Sequence, residues 1–255
     1  MDALTTARTT ARTTARATAV AARRGARRSA GTLLGSAVEL RTGRPEVVLT
    51  FDDGPEPGGT DRVLAALAEA RATATFFVLL TRVRRYPALL GEVLAAGHEV
   101  ALHGVDHRAL PTLPPDEVAR LVRSGRAELE DATGRPVRWF RPPYGRQTFR
   151  NWRAVTGAGM VPVLWGPTTW DWRDLPMAER VAKSRQGVRP GAIVLAHDGF
   201  AGPADGACDG PPPELDRGEL VRGVLGAYAE QGLAARSLEQ ALAAGALVRE
   251  TWFPG

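Results

Sequence analysis

From residue 46 onward the chain alternates short apolar runs with stretches of helical periodicity, the pattern of a parallel sheet whose strands are separated by covering helices. The runs EVVLTF (46–51), ATFFVL (74–79), HEVALH (98–103), VRWFRPP (137–143), VPVLW (161–165), AIVLAH (192–197) and, more faintly, LAARSL (233–238) read as strands. Between them the spacing predicts helices over Asp61–Arg71, Pro87–Ala96, Pro115–Thr133, Trp152–Ala158, Pro176–Arg185, Glu219–Gln231 and Ser237–Ala244. The third is bounded as a helix should be, with PPDE at its start and Gly134 after its last turn. About seven parallel strands with helices between them predict an α/β barrel, a fold that a chain of 255 residues accommodates as one domain.

Two stretches break this pattern. Residues 1–40 open on Thr/Ala/Arg-rich sequence with a repeating TTAR and are read as a basic, disordered arm before a domain at 46–245. The arm has the charge of a signal peptide's first region but lacks the apolar run that should follow. As written, the chain therefore reads as cytoplasmic; a start assigned upstream of the true one would leave an extracellular or cell-wall location open, and an amphipathic targeting segment is the third reading. The other stretch, GFAGPADGACDGPPP (199–213), is Gly/Pro-rich and is expected to be an inserted loop, a candidate lid.

Composition narrows the class. With 44% hydrophobic and 24% charged residues the chain is an ordinary globular protein, and nothing in it demands a membrane. Its net charge of +5 is concentrated in residues 1–31, which hold seven Arg and one Asp, so residues 32–255 carry about −1. A broad nucleic-acid-binding face is not expected of such a body. Cys208 stands alone, which excludes an internal disulfide framework and a multi-cysteine metal site, and its GACDGPPP surroundings place no His beside it to activate a thiolate.

Chemistry gathers where strands end. FDDGP, HGVDH, RPPYG, WDWRD and AHDG follow the first, third, fourth, fifth and sixth strands, and in parallel α/β folds that rim builds the active site. His103 and His107 are four apart, so on a helical turn their rings would share one face, as two metal ligands or two surface histidines would. A carboxylate beside them would complete a two-His, one-Asp set with positions open to water and substrate. Asp52 and Asp53 are adjacent, and a continuing strand would point them to opposite faces; they either cap a turn or are compensated by a cation and an Arg. Arg141 precedes a rigid Pro-Pro pair, Tyr144 offers a backbone N–H to a ligand oxygen, and Asp171 could orient an imidazole. Trp172 could stack on a sugar ring or fill core, and His197 sits at a strand end.

These motifs in this order, TFDDGP, HGVDH, RPPYG, the DW of residues 171–172 and the LAH of residues 195–197, resemble the polysaccharide deacetylase family, the NodB-homology domain of carbohydrate esterase family 4. The flanking ATATFFV and GHEVALH resemble it too, and the likeness spans roughly residues 46–245. It implies a deformed (β/α) barrel. It also implies an enzyme that removes acetyl groups from N-acetylated amino sugars, in a chitin oligomer or a peptidoglycan-type glycan, by attack of a metal-activated water. The resemblance assigns Asp53, His103 and His107 to a divalent metal, usually Zn2+, with Co2+ or Ni2+ as substitutes. Asp52 becomes the general base held by Arg141, and His197 the general acid tuned by Asp171. The Tyr144 backbone N–H becomes an oxyanion donor, while Trp172 and Leu195 line the acetyl pocket. An O-acetyl esterase acting on a glycan such as xylan, a hydrolase of another small amide and a non-catalytic glycan-binding protein are the competing expectations. One departure stands out: Gly104 occupies a position where many members carry Ser or Thr, which predicts a metal loop missing one hydrogen bond.

Overall fold

The second strand explains how the rim is built. The computed structural model describes residues 34–253. In it β1 (Ser36–Thr42) is followed by β2 (Glu46–Asp52), α1 (Thr60–Glu69), β3 (Thr75–Leu79), α2 (Leu80–Arg85), α3 (Pro87–Ala95) and β4 (Glu99–Gly104). The chain continues through α4 (Pro115–Thr133), β5 (Trp139–Phe140), α5 (Phe149–Gly157), β6 (Val161–Pro162) and α6 (Met177–Ser184). It finishes with β7 (Ile193–His197), α7 (Arg217–Ala229), β8 (Ala234–Arg236), α8 (Leu238–Leu242) and β9 (Gly245–Glu250).

Strands β2 to β8 form one seven-stranded sheet, ordered β6-β5-β4-β3-β2-β7 with β8 also paired to β2, and every pairing in it is parallel. Val48 pairs with both Ile193 and Arg236, so β7 and β8 lie on opposite edges of β2, and β3 takes over from β8 at Thr50. The period-two alternation of a strand then sorts side chains into two layers. Val47, Leu49, Phe51, Phe76, Val78, Leu102, Phe140, Val194 and Ala196 face outward into a core shared with the helices. Val48, Phe77, Ala101, Trp139 and Ile193 form a second cluster inside the curled sheet, floored by Leu238 and Ala241 of α8. Buried on both faces, the strands read as continuous apolar runs rather than alternating ones.

The same parity decides the site. Continuing the inward series along each strand, in steps of two, arrives at Asp52, His103, Arg141 and His197. Register sets Asp52 level with His197, its direct cross-strand partner, while His103 and Arg141 lie two residues further along their own strands.

The gap between β6 and β7 closes the barrel irregularly. Leu164 donates its N–H to Ala37 O and Leu40 donates to Gly191 O, so β1 bridges the two ends from below. Above it, residues 166–169 run along β7, with Gly166 N donating to Ile193 O and Thr169 N to Leu195 O. That crossing delivers Asp171 beside His197.

Several boundaries differ from the sequence expectation. Residues 36–40, read as part of the arm, belong to β1, which pairs antiparallel with β9, a strand beyond the expected end at 245. SAVELRT carries no turn signal separating it from the low-complexity sequence, and its half-buried pattern is set by partners more than two hundred residues away. The rest of the expected arm, residues 1–33, lies outside the described residues. Helix α2 starts directly after β3, where no connecting turn marked it in the sequence. Gly134 ends α4 as expected, in the left-handed conformation at φ 63°.

Candidate active site

At the C-terminal rim a cavity of about 350 Å3 is lined by Asp52, Asp53, His103, His107, Tyr144, Trp165, Trp172, Leu195, His197, Phe200, Ala201 and Asp209. Every residue that the sequence singled out as a site residue lines this cavity or touches one that does.

Asp53 departs from the strand. Its φ of 76° turns the chain left-handed immediately after β2, so its carboxylate swings to the same side as that of Asp52 instead of the opposite one. The turn is packed tightly: a Cβ at Gly54 would lie 1.9 Å from Asp198 Oδ2 and would displace that carboxylate. Asp198 braces the loop from behind, accepting hydrogen bonds from Gly54 N at 3.1 Å and Thr60 Oγ1 at 2.6 Å. Burial pushes the Asp198 carboxyl up to about 7.

Three donors converge. Asp53 Oδ1 lies 3.5 Å from His103 Nε2 and 3.3 Å from His107 Nε2, and the two imidazole centroids are 5.2 Å apart. His103 is the penultimate residue of β4 and His107 follows the bend at Val105 and Asp106, so the pair does not sit on a helical turn. Gly104 makes the bend. At φ 153° its Cβ position lies 2.6 Å from Asp106 O, so a side chain there would collide with backbone. The loop is held by other bonds, Thr81 N to Val105 O and His107 N to Asp205 O, in place of the one expected from a Ser or Thr.

The residues fit a divalent cation. Their ligand atoms lie within 4.8 Å of one another, all three residues are buried, and Asp53 Oδ1 has no hydrogen-bond partner. His103 Nδ1 lies 2.8 Å from Arg141 O, a contact that requires the proton on Nδ1. Burial outweighs the attraction of Asp53 and lowers the His103 pKa to about 3, so the ring is neutral and Nε2 presents a lone pair. A lone pair facing an orphaned carboxylate oxygen in a buried site is the arrangement a cation would relieve.

On one side of this cluster Asp52 Oδ1 accepts from Arg141 Nη1 at 2.7 Å, and the same nitrogen donates to Thr50 Oγ1 at 2.7 Å. Arg141 is fully buried, with its guanidinium over the Phe77 ring at 4.1 Å. Burial pushes the Asp52 carboxyl above its ordinary value, against the opposing pull of Arg141 and His197. On the other side Asp171 takes both the ring and the backbone of His197, at 2.7 Å to Nδ1 and 2.6 Å to N. Trp172 meets the His197 ring edge-on at 5.4 Å.

Tyr144 lies on the opposite wall with a φ of 60°, its ring edge-on to His107 and its hydroxyl donating to Asp209 Oδ2 at 2.8 Å. Leu195 is buried in the floor. The 199–213 stretch is not a detached lid: Ala201, Asp205 and Ala207 are buried, and Ala201 N donates to Asp53 Oδ2 at 3.2 Å. Only its outer part is exposed, including the free Cys208. Sequence reasoning passed over Trp165, Phe200 and Asp209 on the cavity wall. It also passed over Asp198, which sat in the quoted AHDG, and Arg217, whose Nη1 donates to His197 O at 2.8 Å.

These features define a class: a deformed (β/α) barrel with a cation-competent Asp-His-His cluster at its C-terminal rim. Within that class the chain belongs to the polysaccharide deacetylase family, whose model matches residues 39–163. A chitooligosaccharide deacetylase of Bradyrhizobium sp. is 38% identical over 169 residues, covering 66% of this chain and 77% of that protein. A peptidoglycan-N-acetylglucosamine deacetylase of Bacillus cereus is 33% identical over 158 residues, covering 60% of this chain and 72% of the relative. Among solved structures, a mutant of a CE4 family pseudoenzyme from Bacillus anthracis with restored enzymatic activity superposes with a TM-score of 0.70 at 25% identity, over 80% of this chain and 70% of that one. The family match stops at Val163, and Asp171 and His197 lie beyond it.

Proposed function

We propose that this chain is a metal-dependent hydrolase that removes acetyl groups from N-acetylated amino sugars in a chitin-type or peptidoglycan-type glycan. The observation that carries the reading is the convergence, in one cavity, of the Asp53–His103–His107 cluster with an Arg-held carboxylate on one side and an Asp-held imidazole on the other. The named activities of the Bradyrhizobium and Bacillus cereus relatives support the substrate class.

Asp53, His103 and His107 would hold the cation, most simply Zn2+, with Co2+ or Ni2+ as substitutes. A bound divalent ion supplies Lewis acidity and lowers the pKa of water toward about 7. The protein does the rest. Asp52, fixed by Arg141, accepts the proton of the attacking water. His197, protonated and held by Asp171, donates a proton to the departing amine, which is too basic to leave as an anion. The Tyr144 backbone N–H is assigned to the oxyanion, where one such donor is typically worth about 2.7–4 kcal/mol. Trp172 and Leu195 are assigned to the acetyl methyl.

The test is acetate release by the purified protein with Zn2+ or Co2+ on N-acetylglucosamine oligomers, peptidoglycan and O-acetylated xylan. Release from the first two supports the proposal. Release from xylan alone would replace it with an O-acetyl esterase, and none from any of the three would overturn the hydrolase reading.

A further inference from the structure

The cation cluster is held from outside by an ion pair whose side chains make no hydrogen bond to its donor residues. Arg82, in α2, is buried and directs Nε and Nη2 to Asp205 Oδ2 at 3.0 and 2.8 Å. Its Nη2 also donates to Phe200 O at 2.6 Å, and its Nη1 lies 2.9 Å from Glu56 Oε1. Asp205 Oδ1 accepts from Thr81 Oγ1 at 2.9 Å, and Oδ2 accepts from Gly202 N at 3.2 Å. Glu56 Oε2 accepts from Phe200 N at 2.9 Å, so one guanidinium and two carboxylates staple the segment from Phe200 to Asp205 at both ends.

That segment delivers two backbone contacts. Asp205 O accepts the His107 N–H at 2.7 Å, and the Ala201 N–H reaches Asp53 Oδ2 at 3.2 Å, leaving Oδ1 turned toward the imidazoles. Thr81, the neighbour of Arg82, ties its own N–H to Val105 O within the His103–His107 bend. A buried ion pair contributes little net stability compared with apolar residues of the same volume, but it can specify one geometry. The stapled segment contains Gly202 and is flanked by Gly199 and Gly206, and without the staple the entropy of ordering it would fall on cation binding.

We propose that Arg82 and Asp205 are positioning residues that preset Asp53 and His107 for the cation. The inference rests on the cation reading of the Asp53–His103–His107 cluster.

The experiment is a Co2+ titration of metal-free protein, followed by visible absorption with a competing chelator, for wild type, Asp205→Asn and Arg82→Lys. The thermal unfolding of each metal-free protein is measured alongside. Supporting partners of metal ligands typically matter about 10–100-fold in affinity. A loss of that size in Asp205→Asn, with an altered d–d band and a folded metal-free protein, is the expected result. A lower Tm with wild-type Co2+ affinity and spectrum overturns the inference, because a merely structural pair would do that. Should Asp205→Asn not fold, Arg82→Lys decides, since it keeps the charge but loses the fork: weakened Co2+ binding supports the inference and undiminished binding overturns it. If wild type itself binds no Co2+, the cation reading fails, and the inference falls with it.

Discussion

Asp171 grips His197 twice, through the ring at Nδ1 and through the backbone N–H, at 2.7 and 2.6 Å. Burial alone would lower the imidazole pKa, but Asp171, with smaller contributions from Asp53 and Asp52, outweighs it and raises the pKa to about 9. His197 is therefore a cation at neutral pH, the form a general acid requires. Acetate release is expected to fall as pH rises through about 9. In Asp171→Asn the alkaline limb should move toward the ordinary imidazole value of about 6.5. A pH–rate profile checks both, and an unmoved limb in the variant would falsify the pairing. The sign for stability is the same, because this raised pKa contributes most below about pH 6.5 and the contribution is lost as pH passes about 9.

The two aspartates of FDDGP should fail differently. Asp52→Asn removes the proposed proton acceptor and leaves all three proposed cation donors, so bound metal is expected at wild-type stoichiometry while turnover drops by about 10²–10⁴-fold. Asp53→Asn removes a donor, and the protein is expected to emerge from purification depleted of metal. Elemental analysis beside an acetate assay separates them; metal loss in Asp52→Asn would reverse the roles.

Arg141 is expected to matter for stability as well as rate. It is fully buried against Asp52, and Arg141→Met leaves that buried carboxylate without its cation, at a cost of about 3–5 kcal/mol. Adding Asp52→Asn should recover part of the loss, because the stranded charge is then gone. Urea unfolding of the two variants measures the recovery.

Metal removal should loosen the rim without unfolding the barrel, whose two large apolar clusters include none of the three proposed cation donors. Restoring Zn2+ to about 100 times its Kd is expected to stabilise the protein by about 2.7 kcal/mol. Matched melts with and without chelator test this, and a Tm indifferent to Zn2+ would count against the cluster as a cation site.

The sequence was most legible where local physics is strongest. The apolar runs of β2, β3, β4 and β7 are buried on both faces, so their hydrophobicity marked them plainly, and the Gly134 stop of α4 was read from its own chemistry. VRWFRPP and VPVLW were expected to be longer strands than the β5 and β6 they hold; VPVLW turns at Leu164 to donate to Ala37 O of β1, and VRWFRPP leaves the ladder after Arg141. Pro142 and Pro143 offer no N–H with which to continue it. The β1–β9 pair went unseen because each strand depends on the other for its partner.

The candidate site divides the same way. The sequence by itself determined the inventory of residue types and their places at strand ends, since Asp52, His103, Arg141 and His197 share the inward parity of their strands. Only the tertiary structure decided how they meet. The left-handed turn at Asp53, the bend at Gly104 and the crossing that brings Asp171 to His197 each depend on backbone conformation or on segments far apart in the chain. Arg82 and Asp205 were the least legible of all. Arg82 lies on a helix that nothing in the sequence marked and Asp205 in a stretch expected to be an inserted loop, and only the burial they share makes them partners.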